Sequence, residues 1–259
     1  MNFDLSEEQK MLRDAAQKFL RAEYRFDARN QIVASASGMS HEHWQRFGEF
    51  GWLGLGLPEA DGGFGGGMLE TIQVAEALGA ALVVEPYLVS AVLGAQAVAR
   101  AGTAAQRATW LPGLVSGQRI VSLAHTEADA RHDLAHVHTS AMAKGGRWVL
   151  SGRKSGVLGA PWADGFVVAA RTSGTVSERR GISLFLVEAH TPGVQVAESA
   201  PHPPGATVAA FPRCRCRPHH HQRLPIITEQ YRQNKEDSHQ GEQIADAQII
   251  HELLDSAWL

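Results

Sequence analysis

Apolar residues recur with a helical period through the first part of the chain. The stretch Ser6-Glu-Glu-Gln9 is a capping box, in which the Ser6 hydroxyl accepts from the Gln9 N–H while the Gln9 side chain accepts from the Ser6 N–H. One apolar stripe follows it, made of Leu12, Ala15, Ala16 and Phe19. This pattern predicts a first helix that begins at Ser6.

Four further helices are predicted before residue 120. The second begins at the cap residue Ser40 and ends near Gly51, a residue suited to the left-handed turn that closes helices. Periodic segments then cover residues 69–79 and, after Pro86, residues 88–99, with a stop at Gly102. Thr103-Ala-Ala-Gln106 is another capping box, and the helix that it opens is expected to be interrupted by Pro112 and Gly113. Residues 1–119 therefore form a predicted all-α N-terminal domain.

From Ile120 the pattern changes to short runs rich in Val, Leu, Ile and Phe. The runs are Ile120–Ala124, Val137–Ala143, Arg147–Ser151, Phe166–Arg171, Ile182–Val187 and Val194–Ala197. Lys144-Gly-Gly-Arg147 between two of them is a hairpin turn, because glycine tolerates the positive φ that tight hairpins require. Residues 120–200 are predicted to form an antiparallel β-barrel or sandwich, which makes the fold class α+β.

The segment from 201 to 259 has a different composition, rich in Pro, His and Arg. Its six prolines are Pro201, Pro203, Pro204, Pro212, Pro218 and Pro225, and they are not expected to continue a strand ladder. Near the end, residues 240–259 have enough apolar positions for one weakly amphipathic helix. We therefore treat 201–259 as an atypical tail.

Composition narrows the class of protein. The chain has 259 residues, 44% of them hydrophobic and 20% charged, which is typical of globular proteins. A formal net charge of −3 gives no basic field, so nucleic acid and anionic membrane are not favoured partners. No apolar run reaches transmembrane length, and the N-terminus lacks the features of a signal peptide. We expect a cytoplasmic protein that contacts no membrane.

A glycine-dense stretch covers residues 51–67. Such a density of glycine excludes a regular element and requires tight turns. It contains neither of the glycine patterns that cradle phosphates, so we interpret it as a packing turn between helices.

The sequence predicts a functional site where helices give way to strands, at residues 122–133. Thr126-Glu127 follows a short apolar strand and precedes a small-residue loop that ends at Asp133. A hydroxyl and free backbone N–H groups at such a place suit a planar or anionic ligand.

Other polar groupings have simpler interpretations. His132, His136 and His138 could bind zinc, but Asp133 is the nearby carboxylate and a wet sheet face has the same pattern, so no metal site is assigned. Cys214-x-Cys216 with His219–His221 lacks the usual zinc spacing, although a zinc module in the tail stays an alternative. Ser151-x-x-Lys154 matches a serine nucleophile motif but lies on a hairpin exit, where a solvated turn is the simpler interpretation.

The order of motifs over the first two hundred residues resembles that of the acyl-CoA dehydrogenase family. The motifs are Leu55-Gly-Leu-Pro-Glu59 with Gly62-Gly63, Thr126-Glu127 with Asp133, Trp148-Val-Leu-Ser-Gly-Arg-Lys154, Ala163-Asp164, and Gly181-Ile-Ser-Leu-Phe-Leu-Val-Glu188 with Thr191-Pro-Gly193. Within the family, Ala124-His-Thr-Glu127 with Ala130-Arg-His-Asp-Leu-Ala135 looks most like the small subunit of pimeloyl-CoA dehydrogenase and similar two-component enzymes.

The resemblance implies a helical domain, a β-domain and a C-terminal four-helix bundle around FAD. Such enzymes oxidise an acyl-CoA to its 2,3-enoyl form: a glutamate of the bundle removes the α-proton and the β-hydride passes to the flavin. If the roles of the matching family positions apply here, Leu123, His125 and Thr126 lie at the edge of the flavin, and the Thr126 hydroxyl forms a hydrogen bond with its ring.

Three cofactor-site positions depart from the family pattern. The dipeptide Arg131-His132 occupies the place of a Gly-Ser pair in the family. Gly156 and Leu158 stand where the family has a Trp and a Thr beside the flavin. The tail departs further, because it offers no match to the bundle or to its catalytic glutamate. We therefore expect a truncated or frame-shifted FAD-dependent subunit, inactive alone, that forms a homo- or hetero-oligomer with another acyl-CoA dehydrogenase subunit. The alternative is a non-catalytic partner of a complete subunit.

Overall fold

The computed structural model describes residues 4–131, 133–198 and 207–216, in which helices come first and a sheet follows. The α-helices are α1 (Glu7–Glu23), α2 (Phe26–Ala34), α3 (His41–Glu49), α4 (Met68–Ala80), α5 (Ala95–Ala101) and α6 (Ala104–Val115). A π-helix covers Tyr87–Gly94, and 3-10 turns cover Trp52–Gly54, Glu59–Asp61 and Ala160–Trp162. Among the described residues, no helix combines the length and the apolar composition that a membrane crossing needs.

The predicted helix starts are confirmed in atomic detail. Ser6 accepts from the Gln9 N–H at 3.2 Å, and its own N–H donates to the Gln9 side chain at 3.0 Å. Thr103 and Gln106 repeat this reciprocal pair at the start of α6. The Ser40 hydroxyl caps α3, which ends before Gly51 at φ +75°. These starts depend on residues three apart, so the local sequence is sufficient to predict them.

Helix α6 does not stop at Pro112, contrary to the prediction. It continues to Val115, and the Ser116 N–H still donates to the Pro112 carbonyl at 3.1 Å. Proline removes one helical N–H, but Leu111 and Leu114 on either side of it are buried in the core. Packing of this face therefore outweighs the lost hydrogen bond.

The segment after Pro86 was predicted as one helix and is two. Its first part is the π-helix, and α5 begins at Ala95 and ends before Gly102 as expected. At the junction, a Cβ on Gly94 would lie 2.6 Å from the Val121 carbonyl oxygen. The missing side chain lets the helix approach the first strand closely.

Helix α2 has no buried residue, which explains why no apolar stripe predicted it.

The glycine-dense segment is a packing turn, as predicted. Trp52, Leu53 and Leu57 point into the core, each at most 3% exposed. A Cβ on Gly63 would lie 2.2 Å from the Leu57 carbonyl oxygen, so the chain can fold back on itself only with glycine there.

Among residues 4–131, 133–198 and 207–216, seven strands form one sheet. They are β1 (Val121–Ala124), β2 (Ser140–Lys144), β3 (Arg147–Lys154), β4 (Gly165–Arg171), β5 (Ile182–Glu188), β6 (Gln195–Glu198) and β7 (Thr207–Cys216). The order is β1-β4-β2-β3-β7-β6, and β5 also pairs with β4. The Lys144–Arg147 hairpin is confirmed, with Gly145 at φ +58° and Gly146 at φ +75°.

The sheet is mixed, whereas the sequence predicted an antiparallel one. Strand β4 runs parallel to β1, and it meets β2 in parallel at Arg171. The β2–β3 hairpin brings the chain back to the end of β1, where Ser155 contacts Thr126. Residues 156–164 then cross to the start of β1, as a parallel neighbour requires, and the Asp164 N–H donates there to the Ile120 carbonyl at 2.8 Å. The helical domain followed by a sheet domain is confirmed.

Strands β2 and β7 differ most from what the sequence predicts. Strand β2 starts at Ser140 rather than Val137, because the N–H groups of His138 and Thr139 donate to the Glu127 carboxylate. Strand β7 pairs with β3 and β6 although it contains Pro212. Its register shifts opposite Leu150 and Gly152, so the proline falls at an irregularity where no ladder bond is needed. The helix predicted at 240–259 lies outside the described residues.

Strand β4 is buried on both faces and joins the two halves. Val167 and Ala169 pack with helices α5 and α6, whereas Phe166, Val168 and Ala170 pack in the cluster on the opposite face. A separate aromatic core around Trp44 and Phe47 lies within the helical half. The end of β1 beside β4 is therefore held from the helical side as well as by the sheet.

Candidate functional site

The candidate site begins where β1 ends. Leu123 is half-buried in β1, and His125 and Thr126 follow the strand directly. The Thr126 hydroxyl lies 3.1 Å from His125 Nε2, and both side chains are partly exposed. The residues predicted to edge a planar cofactor are thus on a strand end with some access to solvent.

The loop after β3 is clamped against this strand end. The Ser155 N–H donates to the Thr126 carbonyl at 2.9 Å, and Lys154 Nζ donates to the His125 carbonyl at 3.2 Å. Gly156 follows at φ +63° in open space, and Leu158 is 54% exposed. Five of the six predicted cofactor residues therefore belong to two adjoining segments. The sixth, His132, lies outside the described residues.

Glu127 is a buried anchor rather than a ligand donor. Its Oε1 accepts from Lys154 Nζ at 2.8 Å and from the Thr139 hydroxyl at 2.7 Å, and its Oε2 accepts from the His138 N–H at 2.8 Å. Burial acts to raise the pKa of Glu127, but the charge of Lys154 and the hydrogen bonds from Lys154 and Thr139 outweigh it and lower that pKa. The carboxylate stays ionised and fixes the chain on both sides of the site.

Lys154 corrects the interpretation of Ser151-x-x-Lys154 as a solvated turn. Both residues lie in β3, and Lys154 is 0% exposed. Burial lowers its pKa to about 8, although Glu127 opposes this shift. The signal that could have revealed it is strand alternation: Lys154 shares the inward face of β3 with Leu150, and a buried lysine requires a buried carboxylate.

His125 is held in its neutral form. Burial, reinforced by the charge of Lys154, lowers the pKa of its imidazole. The strand end thus presents a neutral imidazole beside a hydroxyl, with the charged pair buried behind them.

Of the three histidines considered as metal ligands, the structure describes His136 and His138, and neither lies on a sheet face. His136 and His138 precede β2, and their ring centroids are 4.9 Å apart. Asp133 is not available to them, because its Oδ1 accepts from the Ala135 N–H at 2.9 Å. Of the tail grouping, only the backbone of Cys214 and Cys216 falls in the described part of the chain, so a zinc module there stays a prediction.

Two family models match most of the chain. Residues 6–118 match the acyl-CoA dehydrogenase N-terminal domain, and residues 122–213 match the acyl-CoA dehydrogenase middle domain. The mitochondrial isovaleryl-CoA dehydrogenase of Pongo abelii is 34% identical over 197 residues, which are 75% of this chain and 47% of that protein. The chain spans about half the length of the curated relatives it matches.

Solved structures show the same likeness. The ChsE4-ChsE5 complex from Mycobacterium tuberculosis is similar with a TM-score of 0.74 and 27% identity, over 89% of this chain and 61% of that one. The acyl-CoA dehydrogenase from Geobacillus kaustophilus has a TM-score of 0.72 and 28% identity, over 83% of this chain and 58% of that one.

Proposed function

Because the chain belongs to the acyl-CoA dehydrogenase family, we propose that it takes part in the FAD-dependent oxidation of an acyl-CoA to its 2,3-enoyl form. The observation that carries this proposal is the clamp between the end of β1 and the loop after β3. The Ser155–Thr126 hydrogen bond holds Thr126 beside Gly156 in a fixed arrangement.

The residues at this clamp suit the planar ring of a flavin. Within the described residues, the Thr126 hydroxyl forms a side-chain hydrogen bond with its neighbour His125 alone. A Cβ on Gly156 would meet nothing within 4 Å, so a flat group can approach the backbone there. Exposed Leu158 adds an apolar surface. We therefore assign this chain contacts to the ring of FAD.

The chain's own residues would bind and orient the flavin rather than take part in the chemical step. FAD supplies the chemistry by accepting the hydride from the acyl β-carbon. Thr126 would donate its hydroxyl hydrogen to the flavin ring, and Leu123 and Leu158 would pack at the edge of that ring. Removal of the α-proton needs a positioned base. We propose that a second acyl-CoA dehydrogenase subunit supplies this base.

A flavin titration tests the proposal. The purified, untagged chain is mixed with FAD, passed over a gel-filtration column and inspected for a visible flavin spectrum, alone and with a complete acyl-CoA dehydrogenase subunit. Loss of one hydrogen bond in Thr126→Val should weaken flavin binding about tenfold. Thr109→Val, at an exposed helical position, is the matched control and should bind as the parent does. Flavin binding that is the same for the parent chain and for Thr126→Val, both alone and in the mixture, would contradict the proposal.

A non-catalytic partner subunit is the second candidate. The similar structure of the ChsE4-ChsE5 complex, which contains two different proteins, favours this alternative. Addition of an acyl-CoA separates the two: flavin that bleaches only with the complete subunit and is unaffected by Thr126→Val indicates a structural partner. Bleaching that depends on Thr126 indicates a shared active site.

We also propose a shifted reading frame for the residues after the family match. That match ends at residue 213, whereas the chain continues to Leu259. Resequencing the gene and translating the other two frames from the codon of Arg213 checks this. Helical, family-like sequence in one of them is the expected result, and its absence from both would make the tail native.

A further inference from the structure

Three metal-ligating side chains converge between β1 and β2. Asp129, His136 and His138 each offer one ligand atom, and these atoms lie within 4.8 Å of one another. His138 Nε2 is 3.5 Å from Asp129 Oδ2. Sequence reasoning considered Asp133 as the carboxylate of this group, but the fold brings Asp129 to the histidines instead.

His136 is oriented for coordination. Its Nδ1 lies 3.0 Å from the Ser177 hydroxyl, whereas its Nε2 is buried and has no hydrogen-bond partner within residues 4–131, 133–198 and 207–216. When Nδ1 donates to Ser177, the neutral ring keeps its lone pair on Nε2. Metal-binding histidines characteristically use this second hydrogen bond to fix their orientation.

The backbone around His136 is rigidly held by Arg171. This guanidinium donates to the carbonyls on both sides of His136, those of Ala135 at 2.7 Å and Val137 at 3.2 Å. It also donates at 2.8 Å to the carbonyl of Val176, the residue before Ser177. One buried side chain therefore positions both the histidine and its hydroxyl partner. His138 is fixed separately, through its N–H, by Glu127.

We propose that Asp129, His136 and His138 bind a zinc ion, with water as the fourth ligand. Two imidazoles and one carboxylate are a ligand set that zinc accepts in tetrahedral geometry. Zinc bonds of about 2 Å require the three ligand atoms to move closer together than they are. The side chains of Asp129 and His138, 70% and 53% exposed, have the freedom to do so.

The ion would cross-link the two ends of the segment from 129 to 138. This segment follows Thr126 and Glu127, so zinc would stiffen the loop next to the strand end at the candidate site. The proposed zinc site does not depend on flavin binding, since none of its ligands belongs to the predicted cofactor residues.

Metal titration of the untagged full chain tests the proposal. The chain is stripped with a chelator and titrated with Co²⁺, whose visible bands report tetrahedral coordination, and the Co²⁺ is then displaced with Zn²⁺. One equivalent is expected. Asp129→Asn and His138→Gln should abolish this binding, and both positions are exposed enough for the fold to survive, which circular dichroism checks. Ser177→Ala should weaken it about 10- to 100-fold.

Two controls separate this site from other histidines. His190→Gln changes an exposed histidine elsewhere and should leave binding unchanged. A variant with Cys214→Ser, Cys216→Ser and alanine at His219, His220 and His221 tests the tail, and it should also retain one equivalent. No binding by the parent chain would overturn the proposal. So would binding that survives His138→Gln but is lost in the tail variant.

Discussion

Within the part of the chain that the structure describes, each half buries one glutamate, and the two are stabilised in different ways. In the helical half, Glu85 is 5% exposed and accepts from the Tyr24 hydroxyl at 2.7 Å and the Ser40 N–H at 3.0 Å. In the sheet half, Glu127 is 4% exposed and is paired with the ammonium of Lys154 at 2.8 Å. Neutral donors hold the first carboxyl, and a buried cation holds the second.

This difference determines how well each half tolerates amino-acid substitutions. Burial, reinforced by the bond to Glu85, raises the pKa of the Tyr24 hydroxyl, so this group remains a donor. The Glu85 arrangement can therefore lose one donor and keep another. The Glu127 pair is less tolerant, because removing Lys154 leaves a buried charge that faces only neutral donors, the Thr139 hydroxyl and the N–H groups of His138 and Thr139. We expect substitutions to be more damaging at the sheet half, next to the candidate site.

The largest effect is expected for Lys154→Met. It replaces the ammonium with an apolar group of similar length, leaves the Glu127 charge buried and should lower the free energy of unfolding by about 3–5 kcal/mol. Urea denaturation measures the change. Arg153→Met, at the exposed neighbouring position, is the matched control and should be close to neutral. A loss below about 1 kcal/mol for Lys154→Met would show that Glu127 is solvated or protonated.

A smaller effect is expected for Tyr24→Phe. It removes the donor to Glu85 and the acceptor of the Val84 N–H, and should lower the free energy of unfolding by about 1–3 kcal/mol. Tyr87→Phe is the control, because that hydroxyl donates to a neutral carbonyl, of Trp52, at 3.3 Å. We expect about 0.5–1.5 kcal/mol for the control. If Tyr24→Phe cost as much as Lys154→Met, the two halves would not differ as described.

The smallest expected effect is on the pH dependence of stability, to which His125 contributes. Its folded-state pKa is lowered, so below the unfolded value of about 6.5 the unfolded chain binds a proton that the folded chain does not. The contribution of His125 to stability is therefore present at neutral pH and is lost as the pH falls. Thermal unfolding between pH 5 and pH 7 should show a shallower slope for His125→Gln than for the parent. His41→Gln, at an exposed helical position, controls for loss of an imidazole, and an identical slope in all three proteins would contradict the assignment.

The sequence predicted features that depend on neighbouring residues. Helix starts at Ser6 and Thr103 and the glycine hairpin after Lys144 are specified within four residues, and each is confirmed. Residues near Thr126 could be assigned to one strand end for the same reason.

Features that depend on distant partners were missed. Lys154 is buried because it meets Glu127, 27 residues earlier, and β2 starts late because that carboxylate takes two N–H groups from the ladder. The parallel pairing of β1 with β4 likewise depends on residues 156–164, which cross from the end of β1 back to its start. No local pattern encodes the contact of Ser155 with Thr126, which joins the two parts of the candidate site.

The hydrogen bonds that Arg171 donates restrict the length of the loop after β4 more than its composition. Besides the carbonyls beside His136, the guanidinium reaches those of Ser173, Val176, Glu178 and Arg180. Every acceptor is a main-chain oxygen, which any residue supplies equally well. Most side chains of this loop can therefore change, apart from Ser177 and the two glycines at positive φ, Gly174 and Gly181. Inserting or deleting one residue would instead shift several acceptors at once. Among homologous chains, we expect this loop to vary in sequence while it keeps its length.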